Sequence, residues 1–247
     1  MGSSTGSLAA SIAEFQQYLK AKVAVHIETE HKNLYPFITI SREAGAGGHL
    51  LAQAILKRME KESLPVYQGW HMLDQEICEA VLADPKMKTS LEPLLSERFN
   101  SELNDYLSQI IGGTSPQVAV YTKIFRLIMS LASVGKVVVV GRAGSFVTRL
   151  LPLGIHVRLV AEKEQRIQYM MRERDLPRDK AETTVAQLDQ DRQRLVKTFF
   201  NRNAADPLEY DAVINTSRVP LESAVDALIA LVKQRFEKAP AVLASKA

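Results

Sequence analysis

Cysteine and tryptophan are almost missing from this 247-residue chain, one of each, and aromatic residues make up only 6% of it. A lone Cys78 excludes an internal disulfide and suits a reducing compartment. It also leaves the scattered histidines His26, His31, His71 and His156 without thiol partners, so no zinc-binding spacing is present and no metal site is expected. No uninterrupted apolar run approaches the ~20 residues that cross a bilayer, so no membrane partner is expected. The start lacks a cationic segment followed by an apolar one; no signal peptide is read, and a cytoplasmic setting is expected. An excess of one charge sign is lacking too: 31 basic residues face 28 acidic ones, and a net +3 does not call for a nucleic acid. There is no Gly-x-Ser-x-Gly nucleophile element, no internal repeat and no Pro/Gly/Ser-rich linker. One globular domain is the simplest organisation, and 46% apolar with 24% charged residues is ordinary composition for it.

The charges that are present are unevenly placed. Eleven of the 16 arginines lie between Arg142 and Arg218, where only three of the 15 lysines fall. Arginine's planar fork matches phosphates and carboxylates, whereas lysine is a point charge, so this half leans toward oxyanion chemistry. Eleven acidic residues share the stretch, and a solvated helical surface laced with ion pairs accounts for the same bias.

Periodicity divides the chain into alternating strands and helices. Leu8, Ile12, Phe15, Leu19 and Val23 mark one face of an N-terminal helix, either docked on its own domain or available for a homodimer. Residues 37–41 read as a buried strand, 49–60 as a helix, Val66-Tyr67 as a second short strand and 75–82 as a helix. Helices follow over 91–111 and 117–132. Val137–Val140 is uniformly β-branched, as in a central parallel strand covered on both faces. Ile155–Val160 and Tyr210–Ile214 complete five strands. A polar helical region spans 162–203 with a break at Leu176-Pro177, and a last helix covers 221–236. Strand–helix alternation calls for a parallel sheet with right-handed crossovers.

The strongest local signal is strand, glycine-rich turn, helix over 37–60. Glycines at 45, 47 and 48 let successive N–H groups form an anion nest, and the following helix adds its positive end. The Gly-x-x-x-x-Gly-Lys-Ser/Thr pattern is absent. A tight strand-to-helix turn explains the glycines equally well.

Ile38-Thr39-Ile40-Ser41-Arg42-Glu43-Ala44-Gly45-Ala46-Gly47-Gly48-His49 resembles the opening of the cytidylate kinase-like family. Further landmarks follow in order: Asp74-Gln75-Glu76, the strand ending Gly141-Arg142, Asp189-Gln190-Asp191-Arg192, and Asp206-Pro207-Leu208-Glu209-Tyr210-Asp211. The resemblance covers roughly residues 37–235. It implies an α/β, P-loop NTPase-type three-layer fold with a five-stranded parallel sheet, a helical insertion at about 76–132 and an arginine-bearing lid at about 162–203. Residues 1–34 form an N-terminal helix and tail, 35–238 the domain, and 239–247 a C-terminal tail.

The activity it implies is transfer of the γ-phosphoryl of ATP, with Mg²⁺, to a nucleoside monophosphate or similar small phosphate acceptor. Against the related kinases, Gly48 stands where the phosphate-gripping lysine belongs, and neither His49 nor Leu50 supplies the magnesium-facing hydroxyl. Arg42 is the candidate replacement cation, and Ser41 or a water the candidate magnesium ligand. The expected catalytic set is Arg42, Arg142, Arg172 and Arg178. Ser41, Gly45, Ala46, Gly47, Gly48 and His49 are expected to bind nucleotide phosphates, and Asp74, Asp189 and Arg192 the acceptor. Each has a plainer reading: a Glu43 ion pair for Arg42, helix capping for Asp74, a structural salt bridge for Arg142, mutual pairing for Asp189 and Arg192. Two other functions stand beside the kinase, a nucleotide-binding sensor or assembly protein that has lost turnover, and a kinase of a non-nucleotide acceptor.

Overall fold

A computed structural model describes Phe15, Gln17, Tyr18, residues 35–84 and residues 116–240. Its centre is a sheet of five parallel strands: β1 (Phe37–Arg42), β2 (His71–Leu73), β3 (Val137–Val140), β4 (Gly154–Val160) and β5 (Ala212–Asn215), in the order β2-β3-β1-β4-β5. β1 lies in the middle, with Ile38 opposite Val138 on one side and Ile155 on the other.

Successive side chains of a strand point to opposite faces, and here both faces are covered. Ile38 and Ile40 meet Val138, Val140, Ile155 and Val157 under α1 (Gly48–Met59) and α7 (Leu221–Glu237). Phe37, Val137 and Val139 face the other way, toward α2 (Gln75–Ala83) and α3 (Pro116–Val134). The result is a three-layer α/β arrangement. Phe15 and Tyr18 are buried in this second cluster, and the Tyr18 hydroxyl donates to the Gly135 carbonyl at 3.3 Å. Phe15 of the expected N-terminal helix face therefore docks on its own domain, together with Tyr18, which that face did not include.

One sequence reading changes. Val66-Tyr67 belongs to a short 3-10 turn, Pro65–Tyr67, because the Pro65 ring opens it; the second strand comes later, at His71–Leu73. The polar region breaks at Leu176-Pro177, as its sequence indicates, into two helices, α5 (Lys163–Arg174) and α6 (Arg178–Phe200), with Asp175 left-handed at the break. The helix expected over 91–111 lies outside the described residues. The short α4 (Gly144–Val147) follows β3 directly.

Averaged over Gln117–Val134, α3 has a mean hydropathy of 1.2 and is, among the described residues, the one helix long and apolar enough to cross a membrane. Lys123 and Arg126 keep its individual runs short. Its apolar side forms much of the core: Phe125 is fully buried and packs against Tyr121, Phe199 and Phe200, which ties α3 to the end of α6.

His156 on β4 is an unusual core member. Thr39 Oγ1 lies 2.8 Å from its Nδ1, Phe37 meets it edge-on, and its backbone N–H donates to Asp211 at 2.7 Å. Burial pushes the imidazole down from its ordinary 6.5 to about 4, against the opposing pull of Asp211. Below pH 6.5 the unfolded chain takes up a proton that the folded chain refuses until about pH 4, so stability falls as the pH drops through that window. Denaturant titrations of wild type and His156→Gln between pH 7 and 4 should show a steeper acid loss in the wild type; parallel curves would assign the loss elsewhere.

Candidate functional site

The site is built at the carboxyl ends of β1, β3 and β4, where open parallel sheets bind ligands. β1 ends at Arg42 and the chain turns through Glu43–Gly47 into α1. Gly45 and Gly47 both hold left-handed φ, 80° and 79°. Gly45 needs glycine twice over, because a Cβ there would sit 2.5 Å from the Arg166 carbonyl oxygen; at Gly47 nothing lies within 4 Å. Gly47 caps α1 without a side-chain hydrogen bond, and no acidic residue occupies the first turn. The first helical bond runs from Leu51 N–H to the Gly47 carbonyl, and no acceptor among the described residues meets the amides of Gly47, Gly48, His49 and Leu50. Four orphan N–H groups and the positive helix end make this turn ready for an anion.

Arg42 lies beside that turn. A Cβ on Gly48 would crowd the Arg42 stem, 3.1 Å from Cγ, and a Cβ on Gly141 would fall inside its guanidinium. The side chain is thus laid from the start of α1 across to the end of β3, over two glycines. Among the described residues it has no ion pair and its guanidinium donates no hydrogen bond. Burial, Arg192 and Arg142 push its pKa down to about 9, with Asp74 pulling the other way. It stays charged at neutral pH, in a setting that disfavours the charge.

Three more arginines converge here. Arg142, held with φ 52° after Gly141, reaches Glu79 of α2 at 3.1 Å. Arg192 of α6 donates to the Arg42 carbonyl at 3.2 Å and sits 3.9 Å from Asp189. Its pKa is lowered by burial and by Arg174, Arg158 and Arg166 nearby. Arg158, paired in register with Ser41, lies 3.4 Å from the Ser41 hydroxyl and over the Tyr210 ring. Two concavities open on this group, one of about 160 Å³ and one of about 620 Å³, with Arg42, Arg142, Arg192 and Leu195 in both walls.

The expected residues divide. Arg42, Arg142 and Arg192 come together beside the glycine turn. Asp74 caps α2 by accepting from Ile77 N–H at 3.0 Å and lies 3.4 Å from His49 Nδ1, so its capping role is realised and His49 is tethered at the helix start. Asp189 is engaged by the turn and by α5: one oxygen takes the Ala44 amide at 2.6 Å and the other Arg166 at 2.6 Å. Ser41 turns to Arg158 and Tyr210, away from the turn. Ala46 is buried, with its carbonyl accepting from Thr216. Arg178 is clamped by Glu164 at 2.7 and 2.5 Å on the exposed side of the lid, and Arg172 is exposed; neither reaches the cluster. Glu43 pairs with Arg166 at 3.5 Å rather than with Arg42.

Arg158 and Arg166 were missed by the sequence reading. Arg158 had a signal, a lone cation in an apolar strand; Arg166 had none, being one arginine among many on a polar helix. Arg166 bridges the Ala161 and Ala44 carbonyls and Asp189, fixing α5 and α6 to the turn.

The model of the cytidylate kinase-like family matches residues 37–218. No curated protein sequence matches the chain. Among solved structures, an uncharacterized protein from Eubacterium ventriosum ATCC 27560 is 19% identical with a TM-score of 0.62, over 81% of this chain and 99% of that one. A gluconokinase from Sinorhizobium meliloti 1021 is 13% identical at TM-score 0.45, over 84% and 97%. A shikimate kinase from Bacteroides thetaiotaomicron is 13% identical at 0.42, over 80% and 98%.

The two left-handed glycines make different predictions. Gly45→Ala forces a Cβ into the Arg166 backbone and should lower the melting temperature and abolish nucleotide binding. Gly47→Ala meets open space and costs only the left-handed strain, about 1 kcal/mol. Thermal denaturation and nucleotide titration of both variants check this; equal losses would contradict the asymmetry.

Proposed function

The chain belongs to the cytidylate kinase-like family, and from that premise we propose that it is an ATP-dependent phosphotransferase acting on a nucleoside monophosphate or similar small phosphate acceptor. The observation that carries this reading is the adjacency of four unbonded amides at Gly47–Leu50 to a carboxylate-free Arg42. A polyphosphate supplies what both lack, acceptor oxygens and negative charge.

The residues fit a nucleotide's phosphates but do not make a magnesium cage. Among the described residues no group of three or more His, Cys, Asp or Glu could hold a metal, and Ser41, the candidate hydroxyl, is engaged by Arg158. A magnesium ion bound mainly through phosphates and water needs no such cage.

Phosphoryl transfer asks a protein for alignment and charge neutralisation more than for covalent help. The turn amides would hold the donor phosphates. Arg42 would stand in for the missing lysine; glycine at 48 leaves room for its stem, so the absent lysine and the arginine are two sides of one packing choice. Arg142 and Arg192 would orient the acceptor's phosphate across the shared wall. The larger cleft offers Tyr121, Gln75 and Gln117 to a ring. α6 covers the group and would exclude water. The absent lysine also favours a second reading, a sensor that binds nucleotide without turnover.

Arg42→Met tests the assignment. Removing a half-buried cation with no carboxylate partner should raise the melting temperature of the ligand-free protein, abolish most of the stabilisation given by ATP, and cut turnover about 100-fold or more. Turnover is read by a coupled assay with ATP and Mg²⁺ across CMP, dCMP, UMP and AMP. Nucleotide binding with no turnover on any acceptor would favour the sensor. An Arg42→Met protein that binds and turns over like the wild type would remove Arg42 from the site.

A further inference from the structure

The smaller cavity has a charge pattern that one phosphate does not use up. Four arginines, Arg42, Arg142, Arg158 and Arg192, line it together with two carboxylates, Glu43 and Asp189. Both carboxylates are engaged elsewhere: Glu43 accepts from the Ala161 amide and pairs with Arg166, and Asp189 holds the Ala44 amide and Arg166. Arg142 reaches Glu79, whose side chain is itself 59% exposed. Arg42 and Arg158 have no carboxylate partner among the described residues.

These two cations are held apart. Arg158 is paired with Ser41 across β1 and β4 and shares its face of the sheet, whereas Arg42, the next residue, leaves β1 on the opposite face. Arg158 is fixed on its own side by Ser41 Oγ and the Tyr210 ring. The Tyr210 hydroxyl donates to the Ala204 carbonyl at 2.8 Å and lies 3.1 Å from Ser41 Oγ, so this corner is braced from three elements. Arg192 stands between, close enough to Arg158 that their charges act on each other.

We propose that this cavity binds a compact ligand carrying two anionic groups, one on Arg42 and Arg142 and the other on Arg158 beside Ser41. The ligand class is a small phosphorylated acid, with a phosphate and a carboxylate or a second phosphate on a short carbon skeleton. At about 160 Å³ the concavity is about a quarter the size of its neighbour of about 620 Å³, which favours a compact ligand. This deepens the acceptor half of the proposed reaction, with Arg42 shared between donor and acceptor phosphates, and rests on it only in taking Arg42 and Arg142 as ligand-facing. Binding at the glycine turn is not required.

Isothermal titration of the full chain with 3-phosphoglycerate, glycerol 3-phosphate and CMP tests it, because the first two differ by a carboxylate in place of a hydroxymethyl group. The wild type should bind 3-phosphoglycerate about tenfold or more tighter than glycerol 3-phosphate, the worth of one charge-assisted bidentate contact. Arg158→Gln should erase that preference, and Arg158→Lys should keep part of it. CMP, which carries one phosphate and no carboxylate, should lose much less affinity in Arg158→Gln than 3-phosphoglycerate does. Equal affinity for the two glycerol derivatives in the wild type, no binding of either, or a preference that survives Arg158→Gln would each overturn the proposal. AMP-PNP is titrated in the same samples and reports on the glycine turn separately, so loss of nucleotide binding and loss of the two-anion preference are read independently. Unchanged thermal melting of Arg158→Lys guards against a folding artefact in Arg158→Gln.

Discussion

The site depends on a single awkward cation. Arg42 is half-buried at the end of the central strand, flanked by Arg142 and Arg192 and without a carboxylate in ion-pair reach among the described residues. Such a group weakens the fold unless something negative joins it. Its course uses the space left by two residues without side chains: a Cβ at 48 would crowd the stem, and one at 141 would fall on the guanidinium. Beside Arg42, the amides of Gly47–Leu50 meet no acceptor among the described residues.

The helix pair α5 and α6, over the region expected to form a lid, is the second constraint. α5 and α6 are pinned to the turn by polar and apolar contacts together. Arg166 bonds the Ala44 and Ala161 carbonyls, and Asp189 takes the Ala44 amide. Ala44 itself packs among Ile167, Met170, Ala181 and Val185. The Arg166 backbone presses on Gly45 so closely that only glycine fits. Turn and lid root form one packed unit, so the shape of the anion nest is set partly by a helix more than 100 residues away in sequence. The Asp189 bonds hold the helix pair at its root, whereas its outer end, with Arg172 and the Arg178–Glu164 pair, is exposed.

Much of the fold was legible because its signals are local. The β-branched run at Val137–Val140 could only be a buried strand, and the glycine turn after Ile40 announced a strand-to-helix corner. The error at Val66-Tyr67 came from reading two apolar residues without the ring constraint of Pro65. The site was legible in part. Arg42 and Arg142 stand at strand ends, where position alone gives meaning, and they do converge. Arg172 and Arg178 were chosen from a helical surface by proximity to a break, and such positions leave the partner undecided; Glu164 decided it for Arg178. Asp189 and Arg192 share a face at three-residue spacing, but what that face meets, the Ala44 amide and the Arg42 carbonyl, is a tertiary fact that no spacing encodes.

The central claim is that the open amides at Gly47–Leu50 hold a polyphosphate beside Arg42. Amide nuclear magnetic resonance of the ¹⁵N-labelled full chain, titrated with ATP and Mg²⁺, reads those four N–H groups one by one. The account predicts saturable downfield shifts at Gly47, Gly48, His49 and Leu50, larger than at the amides of α7 on the far side of the sheet. Saturable ATP binding that leaves these four resonances in place would contradict it.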